Sequence, residues 1–414
     1  MTEPDEPTPS WHIEVPSPQD WDEIFRLDMR AFHRDPNDEA SAAERGIFEF
    51  DRALVARRAG EIVGTAALLT RPLAVPGAVL PAAHVSFVAV APGARRQGIL
   101  TAFMDRQFSD ARAAGEPIAV LWASEGRIYQ RFGYGLASTV LSLSFERHEV
   151  QLTVPADVRG LRETTPAQVR DELVKLYDET YRQRPGWSGR EERHWDYRLA
   201  DVPAWRQGAT ALRAVLHRDT GGATDGYALW RTESRWTEVG PSGTVHVVEL
   251  VARTPEAYTA LWSFLMNIDL TRTVRMWLAG ADEPLFHAVS DPRQLNARLS
   301  DGLWLRILDV PAALQARRYA TAIDLVIEVR DDRIPSNNGR WRLTGSPDHA
   351  RCVSTVDEPD LSCDIRALGA TYLGGSSLDA LAATGQVVEH RPGALVRAGL
   401  ALRWHVAATS PEIF

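Results

Sequence analysis

Arg95-Arg96-Gln97-Gly98 stands where an apolar run stops and a helical run begins. The residues before it, His84 to Ala91, are apolar and partly β-branched and read as a buried strand that Pro92-Gly93 ends. Leu100 to Phe108 has helical spacing. A strand breaking into a glycine-bearing turn at a helix start makes an anion site. The first helical turn has N–H groups without intrahelical partners, and its dipole favours negative charge. Gly98 lets an anion approach the backbone closely, and the adjacent arginines point to a pyrophosphate. The turn contains neither Gly-x-x-x-x-Gly-Lys-Ser/Thr nor Gly-x-Gly-x-x-Gly, so neither common nucleotide loop accounts for it. A plain basic turn capping a helix is the alternative.

A second segment narrows the choice. Pro117–Ala123 is another apolar strand, and it leads into Ser124-Glu125-Gly126-Arg127-Ile128-Tyr129-Gln130-Arg131-Phe132-Gly133-Tyr134-Gly135. The first loop resembles the acetyl-CoA loop of the GCN5-related N-acetyltransferases, Arg/Gln-x-x-Gly-x-Gly/Ala. It matches at Arg95 and Gly98 and departs at Leu100. Ile128 to Tyr134 is similar to the family's Tyr-x-x-x-Gly-Phe segment. Along the chain the likeness sharpens to the Eis-type (enhanced intracellular survival) acetyltransferases. It is carried by Ser86–Pro92, Ala123–Gly126 with Ile128-Tyr129, Arg131–Gly135, Asp301–Ile307, Val310–Leu314 and the last residue, Phe414. The first 80 residues match more weakly.

That resemblance implies a set of site residues. Backbone N–H groups of Val88, Ala89 and Val90 would face the pantetheine arm and thioester. Arg95, Arg96, Gln97, Gly98, Ile99, Leu100 and Thr101 would cradle the pyrophosphate, and Ser124 and Glu125 would lie where the arm passes. Acetyl transfer to an amine needs a neutral amine, a stabilised thioester oxygen and a proton for the leaving thiolate. Tyr129 is the candidate acid, a phenol with an ordinary pKa of about 10. Its other reading is a packing aromatic beside Phe132, and Tyr134 is its rival. A lone histidine such as His84 is more often structural than a base. The resemblance points instead to the α-carboxylate of Phe414, to which Glu412 would add charge. Trp21 and Phe32 are possible walls of the acceptor pocket.

The elements that must position these groups are spread over 414 residues, enough for two or three domains. The fold class is α/β (α+β). Residues 1–150 read as the catalytic acetyl-CoA-binding unit, with a helix from Trp21 capped by Asp20 and Glu23, and a hairpin turning at Arg58–Glu61. Residues 151–297 repeat the rhythm, but Arg253-Thr254-Pro255-Glu256 has neither the glycine nor the arginine pair, so a degenerate copy without acetyl-CoA is expected. For residues 298–414 the resemblance implies a sterol-carrier-like fold that delivers its C-terminus to the active site.

Hydrophobic residues make up 44% and charged residues 24%, and the net charge of −9 argues against nucleic acid and suits a cationic amine. Cys352 and Cys363, the only cysteines, read as reduced thiols, and no metal pattern is present. The acidic, proline-rich start is unlike a secretion signal, and no membrane span is expected, so a cytoplasmic enzyme is the default. The function expected is acetyl-CoA-dependent N-acetylation, with an aminoglycoside-like polyamine as acceptor. A protein or peptide lysine acetyltransferase and a non-enzymatic carrier of an apolar ligand are the alternatives. The resemblance also implies a homohexamer.

Overall fold

The computed structural model describes residues 10–414; the acidic opening segment lies outside the described residues apart from its last position, Ser10. Among the described residues three sheets order the fold, two of seven strands and one of five, with a further two-stranded ribbon. The first runs His12–Glu14, Ala53–Arg58, Glu61–Val75, Ala78–Val90, Ile118–Trp122, Leu303–Ile307, Gly135–Leu136. Its central strands are apolar on both faces because helices cover both. Ala53, Val55, Ile62 and Ala67 pack on Trp21, Ile24 and Phe25 of helix Trp21–Ala31. Their alternates Leu54, Ala56, Val63 and Ala66 pack on Ile99 and Phe103 of helix Ile99–Ala113. Period-two alternation therefore sends each strand's residues to two different helices.

The expected hairpin forms. Its two-residue turn, Ala59-Gly60, holds φ of +52° and +89°, which is the twist a tight hairpin requires. The expected cap on the first helix does not form. Asp20 instead accepts from Ser17 N–H and Oγ at 2.8 and 2.9 Å and pairs with Arg57 at 2.5 Å. Glu23 accepts the Ile62 N–H at 2.6 Å, so it ties the helix to the hairpin instead of closing a capping box.

Two strands are exchanged between the acetyltransferase-like units. Thr139–Glu146 leaves the first sheet and lies in the second, between Thr271–Gly280 and Arg298–Asp301. Leu303–Ile307 returns to the first sheet, antiparallel to Ile118–Trp122. Sheet membership thus crosses the expected boundaries near residues 150 and 297. The third sheet is built on Ile323–Arg330, flanked by Gly339–Gly345 and, in parallel, by Leu361–Asp364. Its core is continuous with the first sheet, since Leu325, Ile327 and Leu368 share one cluster with Leu303, Leu305 and Val120. Cys352 and Cys363 are free, and burial pushes both thiols up to about 12. No helix among the described residues is long and apolar enough to cross a membrane.

Candidate active site

The parallel strands Ala78–Val90 and Ile118–Trp122 pair only at Ala83–Ala119 and His84–Val120. Beyond those pairs they separate into a wedge. On the other side of the first strand the register to Glu61–Val75 slips between Thr65 and Ala67. Phe87 sits in this bulge at φ +52°, a backbone region a side chain seldom takes. The bulge lies just ahead of the run Val88-Ala89-Val90, which continues past the last residues paired with Ile118–Trp122.

At the end of that strand the loop is held by its own side chains. Arg95 Nε donates to Val90 O at 3.2 Å, Gln97 Nε2 to Gly93 O at 3.2 Å, and Trp11 Nε1 to Gln97 O at 3.1 Å. Arg96 holds φ +62° and is exposed, and Gly98 holds φ +86°. Gly98 is the N-cap of helix Ile99–Ala113, no side chain caps the first turn, and no acidic residue lies in it. The N–H groups of that turn therefore face outward beside two arginines, which is the geometry of a phosphate site. Ile99 is buried, and Leu100 and Thr101 are half-buried.

The second unit closes the same position. Helix Pro255–Met266 is capped by Thr254, whose Oγ1 accepts from Ala257 N–H at 3.1 Å. That hydroxyl donates to Asp225 at 2.6 Å, and Glu256 stands in the first turn. Two carboxylates and a filled cap oppose an anion there.

Ser124 and Glu125 follow strand Ile118–Trp122 as an exposed turn, with Glu125 facing Arg127 at 3.2 Å. Helix Gly126–Gln130 then carries Tyr129, which is 6% exposed. Burial alone pushes its phenol up to about 12. Tyr134 stands edge-on to it, fully buried, with a hydroxyl that has no partner; burial raises that phenol further still.

The C-terminus arrives at the closed end of the wedge. The Phe414 ring meets the His84 ring at 4.6 Å and 65°. His84 lies inside strand Ala78–Val90, and it is wholly buried. Its ring nitrogens are spent on Ala82 O at 3.0 Å and Ser188 Oγ at 2.8 Å, and desolvation, then Arg71, lower its pKa to about 3. It is a neutral structural ring. Glu412 is not a free charge in the pocket: it pairs with Arg71 at 2.5 Å and Arg190 at 3.0 Å. Arg71 and Arg190 were not anticipated, although a lone arginine inside the apolar run Leu68–Leu73 is a visible signal for a buried counter-charge. Trp21 is buried among Phe25, Phe48, Phe50 and Phe87, whereas Phe32 is 43% exposed. A cleft of about 920 Å³, walled by Tyr197, Trp205, His246 and Trp277, reaches Glu412 and Ile413 but not Tyr129 or His84.

Comparison with known proteins agrees with this fold. Residues 12–137 and 186–307 each match a family model described as an acetyltransferase (GNAT) domain, and residues 310–408 match a sterol carrier protein domain. The chain is 42% identical over 413 residues to an uncharacterized N-acetyltransferase of Streptomyces avermitilis, covering 97% of this chain and 99% of that one. It is 35% identical over 386 residues to the N-acetyltransferase Eis of Mycobacterium tuberculosis, covering 90% and 92%. Among solved structures, Eis1 of Mycobacterium abscessus superposes with a TM-score of 0.83 at 31% identity, covering 98% of this chain and all of that one. Two acetyltransferase domains followed by a sterol-carrier domain, on a chain related along most of its length to Eis, give the assignment: the chain belongs to the Eis-type N-acetyltransferases, acetyl-CoA-dependent enzymes of the GCN5-related superfamily.

Proposed function

We propose that this enzyme acetylates primary amines of aminoglycoside-like polyamines by direct transfer, with Tyr129 as general acid and the Phe414 α-carboxylate as general base. The observation that carries this reading is the seating of Phe414 against His84, at the last paired residue of the wedge whose other lip leads to Tyr129. Bound acetyl-CoA supplies an activated acetyl thioester. The first-turn N–H groups of Gly98 to Thr101, with Arg95, Arg96 and Gln97, hold its pyrophosphate. Val88, Ala89 and Val90 present backbone N–H groups along the arm, and Ser124 and Glu125 flank it. A phenol near 12 keeps its proton at neutral pH, the form an acid needs to protonate a departing thiolate. A terminal carboxylate, of ordinary pKa about 3.5, is ionised there and takes the amine's proton directly or through water. The net charge of −9 supports a cationic acceptor. Residues 1–150 as the catalytic unit, 151–297 as its degenerate copy, 298–414 as the domain that brings the tail, a homohexamer and a cytoplasmic location complete the reading.

The deciding experiment is to move the carboxylate. Deleting Phe414 retracts it by at most about 3.6 Å, and a C-terminal tag replaces it with an amide. Both variants should bind acetyl-CoA and lose about 10²-fold or more in turnover. A tagged enzyme with parental turnover would rule the carboxylate out.

A further inference from the structure

We propose that Glu412 is a positioning residue: a buried anionic peg, received by Arg71 and Arg190, that seats the C-terminal tail so that Phe414 stands against His84. The proposal rests on the carboxylate reading above and adds the device that fixes the carboxylate in place.

The socket comes from both acetyltransferase-like units, and the peg from the third. Arg71 lies on strand Glu61–Val75 of the first sheet, with its side chain 3% exposed. Its Nη2 donates to Glu412 Oε1 at 2.5 Å and its Nε to Gly189 O at 3.1 Å. Arg190, whose side chain is wholly buried, donates through Nε to both Glu412 oxygens at 3.1 and 3.3 Å. Its two terminal nitrogens are taken by Glu249 on the second sheet at 3.1 and 2.6 Å. Arg198 and Tyr227 also reach Glu249, at 3.0 and 2.7 Å. The Arg190 guanidinium lies 3.9 Å over the Tyr177 ring and 4.7 Å from that of Trp195, so it has no room to swing away.

Charge explains why this socket demands an acid. Arg71 has no other carboxylate partner among the described residues. With Glu412 seated, two carboxylates serve Arg71, Arg190 and Arg198; without it, Glu249 still meets Arg190 and Arg198, and Arg71 is left with none among the described residues. An uncompensated buried guanidinium is strongly unfavourable, so the empty socket selects for the tail's return. Reach explains why the peg sets the terminus. Phe414 lies two positions beyond Glu412, at most about 7 Å of extended chain. The floor under both is one short segment. Pro185 O accepts from Thr409 N–H at 3.0 Å, Ser188 Oγ meets His84 at 2.8 Å, and Arg190 holds Glu412. Ser410 Oγ closes the tail's own turn on Glu412 O at 2.8 Å.

The test pairs Glu412→Gln with the double variant Arg71→Met/Glu412→Gln, which removes the stranded cation as well as the peg. Five measurements are made on the full-length enzyme: thermal stability, acetyl-CoA affinity, kcat, the acetyl-CoA KM, and release of Phe414 by carboxypeptidase. Both variants should retain acetyl-CoA affinity and KM, lose about 10²-fold in kcat, and release Phe414 at least about 10-fold faster than the parent. The double variant should recover thermal stability without recovering kcat, a split that a purely structural ion pair does not produce. Parental kcat, or parental protection of Phe414, in the folded double variant would overturn the proposal. A C-terminally extended enzyme distinguishes the two ideas. If it is fully active, the carboxylate reading falls; if it is inactive while the double variant is fully active, only the peg falls.

Discussion

Tyr129 and Tyr134 stand edge to face, ring centroids 5.8 Å apart with 74° between their planes, yet only Tyr134 has a hydroxyl that is both sealed from solvent and unpartnered. Tyr129→Phe should fold, bind acetyl-CoA and lose about 10²–10⁴-fold in turnover. Tyr134→Phe should keep turnover, and deleting its stranded hydroxyl should leave stability unchanged or raise it by about 1 kcal/mol. Steady-state kinetics on the two variants checks both outcomes, and the reverse pattern would move the acid to Tyr134.

One acetyl-CoA should bind per chain. The Gly98 turn is uncapped, whereas Thr254 and Asp225 fill the equivalent turn of the second unit. Calorimetry on Arg96→Ala should show the single site weakened by about 1.5–3 kcal/mol, the worth of one charge-assisted contact. Two equivalents at saturation would contradict the filled cap.

Asp28 and Glu44 make stability depend on pH. Burial pushes Asp28 up to about 6; burial, then Asp28 itself, pushes Glu44 up to about 7; Arg34 opposes both shifts. Raised carboxyls favour the protonated folded state. Their contribution is fully present below pH about 4, where the unfolded chain is also protonated. It is lost as pH rises from about 4 to about 7, because the unfolded chain ionises first. Asp28→Asn and Glu44→Gln should each gain on the order of 2 kcal/mol over the parent at pH 8 relative to pH 4. Urea midpoints at the two pH values would show no such gain if the two carboxyls ionised in the folded protein over the same pH range as in the unfolded chain.

Arg306 and Asp331 form a buried pair at 2.7 Å that ties strand Leu303–Ile307 to the third unit, and Asn337 adds a 2.9 Å bond to the same carboxylate. Asp331→Ala should cost about 3–5 kcal/mol by stranding the guanidinium. Arg306→Met/Asp331→Leu should recover most of it, since Arg306 Nε and Nη1 already lack partners. Denaturant unfolding of the two variants gives the comparison.

What could be read in the sequence was local. The strand, glycine turn and helix around Gly98 need only residues close in the chain, and their periodicity and turn chemistry stand in that one stretch. The same holds for the Ala59-Gly60 hairpin and for the missing glycine before Pro255. What could not be read was pairing at a distance. Leu303-Trp304-Leu305-Arg306-Ile307 alternates like a strand, but nothing in it says that its partner is Ile118–Trp122. Glu412 looks like an ordinary surface acid until Arg71 and Arg190, more than 200 residues earlier, close on it. Asp20 and Glu23 carry a cap's spacing, but Ser17 and the Ile62 N–H lie within reach and compete for them.

The strand exchange also bears on how the protein comes into being. A nascent chain of about 200 residues holds every residue of the Gly98 loop but not the strand that covers the edge of Ile118–Trp122. That strand, Leu303–Ile307, emerges only after the whole second unit. The first unit therefore cannot finish folding as it leaves the ribosome. Until residue 307 is out, an apolar strand edge stays open to wrong partners. Gene fragments ending at a tidy domain boundary should accumulate as aggregate, and chaperone demand should fall on the first unit late in translation.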